Sequence, residues 1–143
     1  MITEKVRDFI AQCPYIKSLL NIDYLVDKIN AYTINEQASY NPVISQWITG
    51  HQECVYRFNL DCKFHWTDEL ENNIENSNFF ENFSNWIKLK DKLKEYPQIE
   101  YQVTKLEVLT NGYIFDTASG EAIYRISVAM FYERPPEEEG VTI

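Results

Sequence analysis

One stretch limits the fold more than any other: Cys54 to Trp66, reading CVYRFNLDCKFHW. Cys54, Tyr56, Phe58, Leu60, Cys62, Phe64 and Trp66 take every even place. Arg57, Asn59, Asp61, Lys63 and His65 take odd ones, with Val55 the single apolar intruder. A period of two over that length predicts a strand with one face on a core and the other on something polar. At ~3.3 Å per residue it runs roughly 40 Å, about twice the usual strand. A strand that long asks for a use beyond closing a small core.

The remaining elements follow from shorter patterns. Thr3 is placed to cap a first helix whose stripe is Val6, Phe9, Ile10 and Cys13, and Pro14 ends it. Leu19 and Leu20 are compatible with helix, but Ile22, Tyr24 and Val26, then Ile29 to Ile34, predict two short strands. Asn41-Pro42 breaks the chain, Val43 to Gly50 reads as a strand, and Gly50-His51 as a turn. Val43 to Trp66 is therefore expected to be a hairpin. Asp68 with Glu71 predicts a short helix carrying Leu70 and Ile74, interrupted at Asn76 to Asn78. Asn78 with Glu81 then opens the main helix, with Phe79, Phe80, Phe83, Trp86, Ile87 and Leu93 as its buried stripe. Lys88, Lys90, Lys92 and Lys94 sit where the helix dipole is negative, and Pro97 stops the helix. Val103 to Leu109 predicts a strand, Asn111-Gly112 a tight turn, and Ser119-Gly120 a second turn. The last strand shows Ala122, Tyr124, Ile126, Val128, Met130 and Tyr132 on one face. Residues 133–143, acidic and Pro-rich, read as a mobile tail, leaving 1–132 as one domain. The expected class is α+β: a mostly antiparallel sheet with a long β-hairpin, an N-terminal helix and one large helix packed on the sheet.

Composition narrows the functions. With 143 residues and 45% hydrophobic content, the chain builds a core without disulfides or metal. A net charge of −9 argues against a basic nucleic-acid groove. Cys13, Cys54 and Cys62 are odd in number and lack metal spacing, so they read as buried thiols of a reducing compartment. No apolar run approaches the ~20 residues of a membrane span, and no signal peptide is expected before the first helix.

Chemistry is hard to assemble from these residues. His51 falls in a turn and His65 on the polar face of the long strand, opposite Cys54 and Cys62, so no nucleophile–His pair forms. Neither C-x-x-C, H-E-x-x-H nor an EF-hand loop occurs, and four glycines make no phosphate cradle. Asp68-Glu69 is explained by capping, and Lys88 to Lys94 by a solvated helix end. No catalytic, cofactor or metal residue is assigned. What remains is a surplus of aromatics in or beside strands: Tyr32, Tyr40, Trp47, Tyr56, Trp66, Tyr113 and Tyr132. Tyr and Trp favour protein–protein contacts, which points to assembly more than catalysis.

Two stretches, IENSNFFENFSNWIKLKD (Ile74 to Asp91) and KLEVLTNGYIFDTASGEAIYRISVAMFY (Lys105 to Tyr132), resemble a family of small proteins of tailed phages and prophages of Firmicutes, often labelled minor capsid protein. In that family the first word reads IENSGFYEKFSDWI, so Asn78 stands here in place of glycine. The order of elements fits up to about Tyr132. The family is similar to tail terminators, which implies an α+β subunit with a curved sheet and no catalytic residues. It implies a hexameric ring that caps the tail tube, stops its polymerisation and meets the head connector. Partners would be the tube protein, the sheath if the tail is contractile, and the neck. DNA would pass through the lumen without specific binding. The location would be the virion, assembled in the bacterial cytoplasm. On that reading Trp47, Arg57, Asn59, Lys63, Asn111, Gly112 and Tyr113 are the candidate contacts between copies. Glu53 and Asp61 are the candidate lumen-facing carboxylates, where they would repel phosphate. The alternatives are another neck or head-completion protein, an enzyme or resistance factor, and an acidic binding module.

Overall fold

The long alternating stretch is a strand, β4 (Gln52–His65), in the computed structural model. The structure describes residues 2–16, 20–22, 31–37, 40–65, 70–110, 112–118 and 121–136. The length of β4 has a use within the chain itself. β7 (Glu121–Arg134), also 14 residues, pairs with it antiparallel from Gln52↔Arg134 to His65↔Glu121. Both are central strands. β2 (Ala31–Glu36) and β3 (Val43–Gln46) lie one after the other along the far edge of β4, opposite residues 58–63 and 52–54. β5 (Gln102–Val108) and β6 (Tyr113–Ala118) do the same along β7, opposite residues 128–133 and 121–125. Each edge is thus one strand interrupted midway. β1 (Leu20–Ile22) adds outside β2 and makes the one parallel pair among the described strands.

This arrangement corrects the turn expected at Asn111-Gly112. β5 and β6 run in the same direction along the same strand, so the link between them is an excursion rather than a hairpin. The Leu109 N–H donates to the Ser127 carbonyl and the Ser127 N–H to Thr110 Oγ1, which pins the excursion to β7. The hairpin into β4 is present, with a short first arm and a turn at 47–51. Register shifts interrupt β3, β5 and β6 once each. The last strand reaches Arg134, so Glu133 and Arg134 are sheet and not tail. Trp66, Thr67, Asp68, Ser119, Gly120 and residues 137–143 lie outside the described residues, as do Tyr24, Val26 and Ile29.

Two helices cover one face. α1 (Ile2–Ile10) buries Val6, Phe9 and Ile10, as its spacing predicts. Thr3 is inside the helix and does not cap it; its Oγ1 lies 2.6 Å from the Tyr56 hydroxyl, tying α1 to β4. α2 (Leu70–Leu93) is one continuous helix of 24 residues, without the break expected at Asn76 to Asn78. Asn and Ser cost a helix less than ~0.7 kcal/mol each, too little to stop one anchored by packing. Among its described side chains Phe80, Phe83, Trp86 and Ile87 are buried, whereas Leu93 is 55% exposed. An aromatic chain crosses the core: the Phe9 and Trp86 rings are 5.3 Å apart, Phe83 and Trp86 6.2 Å, Phe80 and Tyr124 5.6 Å. Beneath it lie Tyr56, Phe58, Leu60 and Cys62 of β4 and Ile126, Val128 and Met130 of β7.

Candidate assembly surface

The second face of the sheet carries the odd residues of β4 and β7. Register places Glu53 opposite Glu133, Arg57 opposite Ala129, Asn59 opposite Ser127, Asp61 opposite Arg125 and Lys63 opposite Ile123. Arg57 is exposed, its guanidinium 6.0 Å from the Tyr40 ring centre, and Lys63 is half-buried. Glu53, Arg57, Asn59, Asp61 and Lys63 therefore share one face.

Asn59 and Asp61 are not free surface groups: they are only 7% and 5% exposed. Arg125 donates to both Asp61 oxygens, at 2.7 and 2.9 Å, in the two-pronged geometry that suits a carboxylate. Asn35 donates to the same carboxylate at 3.1 Å and accepts from Asn59 at 3.3 Å. Ser127 and Gln37 both donate to Asn59 Oδ1, at 2.7 and 3.1 Å. The result is a hydrogen-bonded stripe across β2, β4 and β7. Each buried polar group needs such partners, because an unmet one costs about 1–3 kcal/mol. The bond to Arg125 neutralises the charge of Asp61. Glu53 differs: its cross-strand neighbour, Glu133, is a like charge, which destabilises a pair directly opposite.

Trp47 sits at the β3–β4 turn, 48% exposed, with Ile44 equally exposed and Ile48 fully so. The turn itself is well built. The Trp47 N–H donates to the His51 carbonyl at 2.8 Å and the Gly50 N–H to the Trp47 carbonyl at 2.8 Å. Gly50 has φ +90, a left-handed conformation open to glycine, and packs toward Pro136. The His51 ring lies 4.7 Å from the Trp47 ring, tilted by 60°, and its Nε2 is 3.6 Å from Glu133. Three large apolar side chains, Ile44 on β3 and Trp47 and Ile48 on the turn, are thus held outward on an ordered hairpin.

Gly112 is elsewhere, on the helix side of the sheet. A Cβ there would lie 2.3 Å from Phe80 Cγ, so its smallness serves the packing of Phe80. Beside it a cleft of about 420 Å³ opens along α2, lined by Phe80, Glu81, Ser84, Asn85, Lys88, Gly112 and Tyr124. Asn111 lies outside the described residues, and of Tyr113 only the backbone is described, as the first residue of β6.

Cys13, Cys54 and Cys62 are buried free thiols, and burial pushes Cys13 up and Cys62 well up from the ordinary thiol range. Among the described residues no three His, Cys, Asp or Glu side chains come together as a metal site. No helix among them is long and apolar enough to cross a membrane. The residues that sequence reading missed are Ile44, Ile48, Arg125, Ser127 and Asn35. Ser127 and Arg125 were legible only in part: they fall opposite the apolar even face of the last strand, but Ile123, Ala129 and Phe131 share their side and blur the alternation. No protein-family model matches the chain, and no curated protein matches it.

Proposed function

We propose that this chain is a structural subunit of a tailed-phage particle, a tail terminator. Six copies close a ring that caps the tail tube, halts its polymerisation and offers a surface to the head connector. The observation that carries the reading is the β3–β4 turn. Ile44, Trp47 and Ile48 project from an ordered hairpin on a sheet that already satisfies its own core. Exposed apolar groups held in that way mark a protein contact. The sequence words shared with the phage family give the contact its setting. Register shifts in three edge segments are of the kind that bend strands, and so support the curvature a ring subunit needs.

The charge balance supports the same reading. At −9 the subunit repels phosphate, so DNA crosses the lumen without being held. Glu53 stays a candidate for the lumen wall. Asp61 contributes no net charge there, since Arg125 neutralises it.

Electron microscopy of particles made without the chain tests the proposal: overlong tubes, or tails without heads, are expected. Tails of normal length joined to heads in its absence would end it. A neck or head-completion role is the second reading, favoured by nothing in the site itself. Adding the purified chain to polymerising tube protein separates the two, because a terminator arrests growth and a neck protein leaves it unchanged.

A further inference from the structure

Basic side chains are few in this chain, and four of its 13 lysines and arginines fall between Lys88 and Lys94. Lys90 is taken up: it pairs with Glu95 at 2.9 Å and lies over the Trp86 ring. Lys5 and Asp8 of α1 share a groove with Lys90 and Lys94. Asp91 is engaged by the Leu106 N–H and the Tyr96 hydroxyl. Lys88 and Lys92 are exposed, one helical turn apart, and neither pairs with a carboxylate among the described residues. Glu81, the acid on their side of α2, stands seven residues before Lys88, about 10 Å along the helix. Leu89 and Leu93, 50% and 55% exposed, run beside the two lysines at the same spacing. The outer face of α2 is thus a basic ridge with two apolar steps, on a chain whose net charge is −9.

Residues 137–143, EEEGVTI, have the complementary chemistry: three glutamates, then Val141 and Ile143. They set out close by. Pro135 and Pro136 line a cleft with Gly50 and Tyr101, next to the start of β5. Gln102 there lies opposite Glu133, and Leu106, bonded to Asp91 of α2, is four residues on, about 13 Å. Seven extended residues span up to ~23 Å, enough to cover that distance. Trp47 and Ile48 are nearer, on the turn where Gly50 packs toward Pro136, but Glu53 and Glu133 stand beside them. His51 is 3.6 Å from Glu133, and Arg134 is bound to Gln52 Oε1. Three more glutamates there would add to a like-charge pair, whereas on α2 they meet lysines.

We infer that residues 137–143 lie along the outer face of α2 of their own chain, the glutamates against Lys88 and Lys92, and Val141 and Ile143 on Leu89 and Leu93. The tether holds the segment at millimolar effective concentration, so contacts too weak for a free peptide suffice. While it is seated, the ridge is closed to any other acidic partner. The inference does not rest on the ring reading.

A nitroxide on Thr142→Cys of the full chain tests it, since Cys13, Cys54 and Cys62 are buried. In isotope-labelled protein the amide signals of Lys88 to Leu93 lose most of their intensity, and reducing the nitroxide restores them. Lys88→Glu with Lys92→Glu, both on the surface, abolishes the loss. Glu137→Lys, Glu138→Lys and Glu139→Lys in that background bring it back. Undisturbed ridge amides, or a loss that survives reversal of the lysines, overturn the inference. Two further results name another occupant and overturn it as well. Broadening of labelled wild-type chains by unlabelled nitroxide-bearing ones gives the ridge to the segment of a second copy. Pelleting with phosphatidylserine vesicles, with the ridge amides untouched by the nitroxide, gives it to a lipid surface. None of these outcomes bears on arrest of tube growth, which tests the terminator reading separately.

Discussion

Gly112 and Lys94 show how much a single backbone position decides here. A methyl group on Gly112 would meet Cβ, Cγ and Cδ1 of Phe80, the part of that side chain least able to swing away. Gly112→Ala is therefore expected to cost about 1–3 kcal/mol through overpacking. In a Phe80→Ala background the same change is expected to be close to neutral. A double-mutant cycle in urea, with a coupling above ~1 kcal/mol, checks this. Lys94 sits at the opposite extreme. Its φ is 57, a left-handed conformation costing a side-chain-bearing residue about 1 kcal/mol. It is held there because it ends α2: the Glu95 N–H donates to the Lys90 carbonyl and the Lys94 N–H to that of Asp91. That pattern of helix closure favours glycine at this place. Lys94→Gly is expected to stabilise the fold by about 0.5–1 kcal/mol, read from the shift of the denaturation midpoint at unchanged slope.

Among the elements, the outer edge of β5 is closed by side chains from the end of α2. Asp91 accepts the Leu106 N–H at 2.9 Å and the Tyr96 hydroxyl at 2.9 Å, and that hydroxyl is also 3.2 Å from the Thr104 carbonyl oxygen. An edge with its backbone groups occupied resists pairing with another chain. Burial, with the Asp91 carboxylate as acceptor, pushes the Tyr96 phenol up to about 12. The neutral phenol is thus the form the fold prefers. Its contribution is complete below the ordinary phenol value near 10 and is lost as pH rises toward 12. Wild type is expected to lose stability across that window faster than Tyr96→Phe. Parallel denaturation curves at pH 9 and pH 11 show it, and equal losses would remove Tyr96 from the account. The sequence made the long strand, the α1 stripe and the central residues of α2 legible, because each carries its period in neighbouring residues. It hid the partner of β4, since matching Asp61 with Arg125 joins positions 64 residues apart and no local period records it. It misled at the Asn111-Gly112 dipeptide, because β5 and β6 on either side of it run the same way along β7 instead of turning back on each other. It misled again at Leu93, whose place in the helical stripe falls beyond the end of the core. In the assembly surface, the shared face of Arg57, Asn59, Asp61 and Lys63 was legible from alternation. The burial of two of them was not, because it depends on what the neighbouring strands bring across.

For the whole molecule the net charge sets a condition on assembly that local contacts must overcome. Two copies at −9 each repel one another over the Debye length, about 30 Å at 0.01 M salt and about 8 Å at 0.15 M. The contact proposed at the Trp47 turn works at much shorter range. Burial of Trp47 and Ile48 is nearly indifferent to salt at these concentrations. Added salt therefore removes more repulsion than attraction. Self-association is expected to strengthen between about 0.01 and about 0.15 M salt, the reverse of a contact governed by ion pairs. Trp47→Ala removes apolar burial alone, and its defect is expected to stay constant across the same range. Sedimentation equilibrium of both proteins at both salt concentrations measures all of this. If wild-type association weakens as salt rises, charge and not the Trp47 turn holds the copies together.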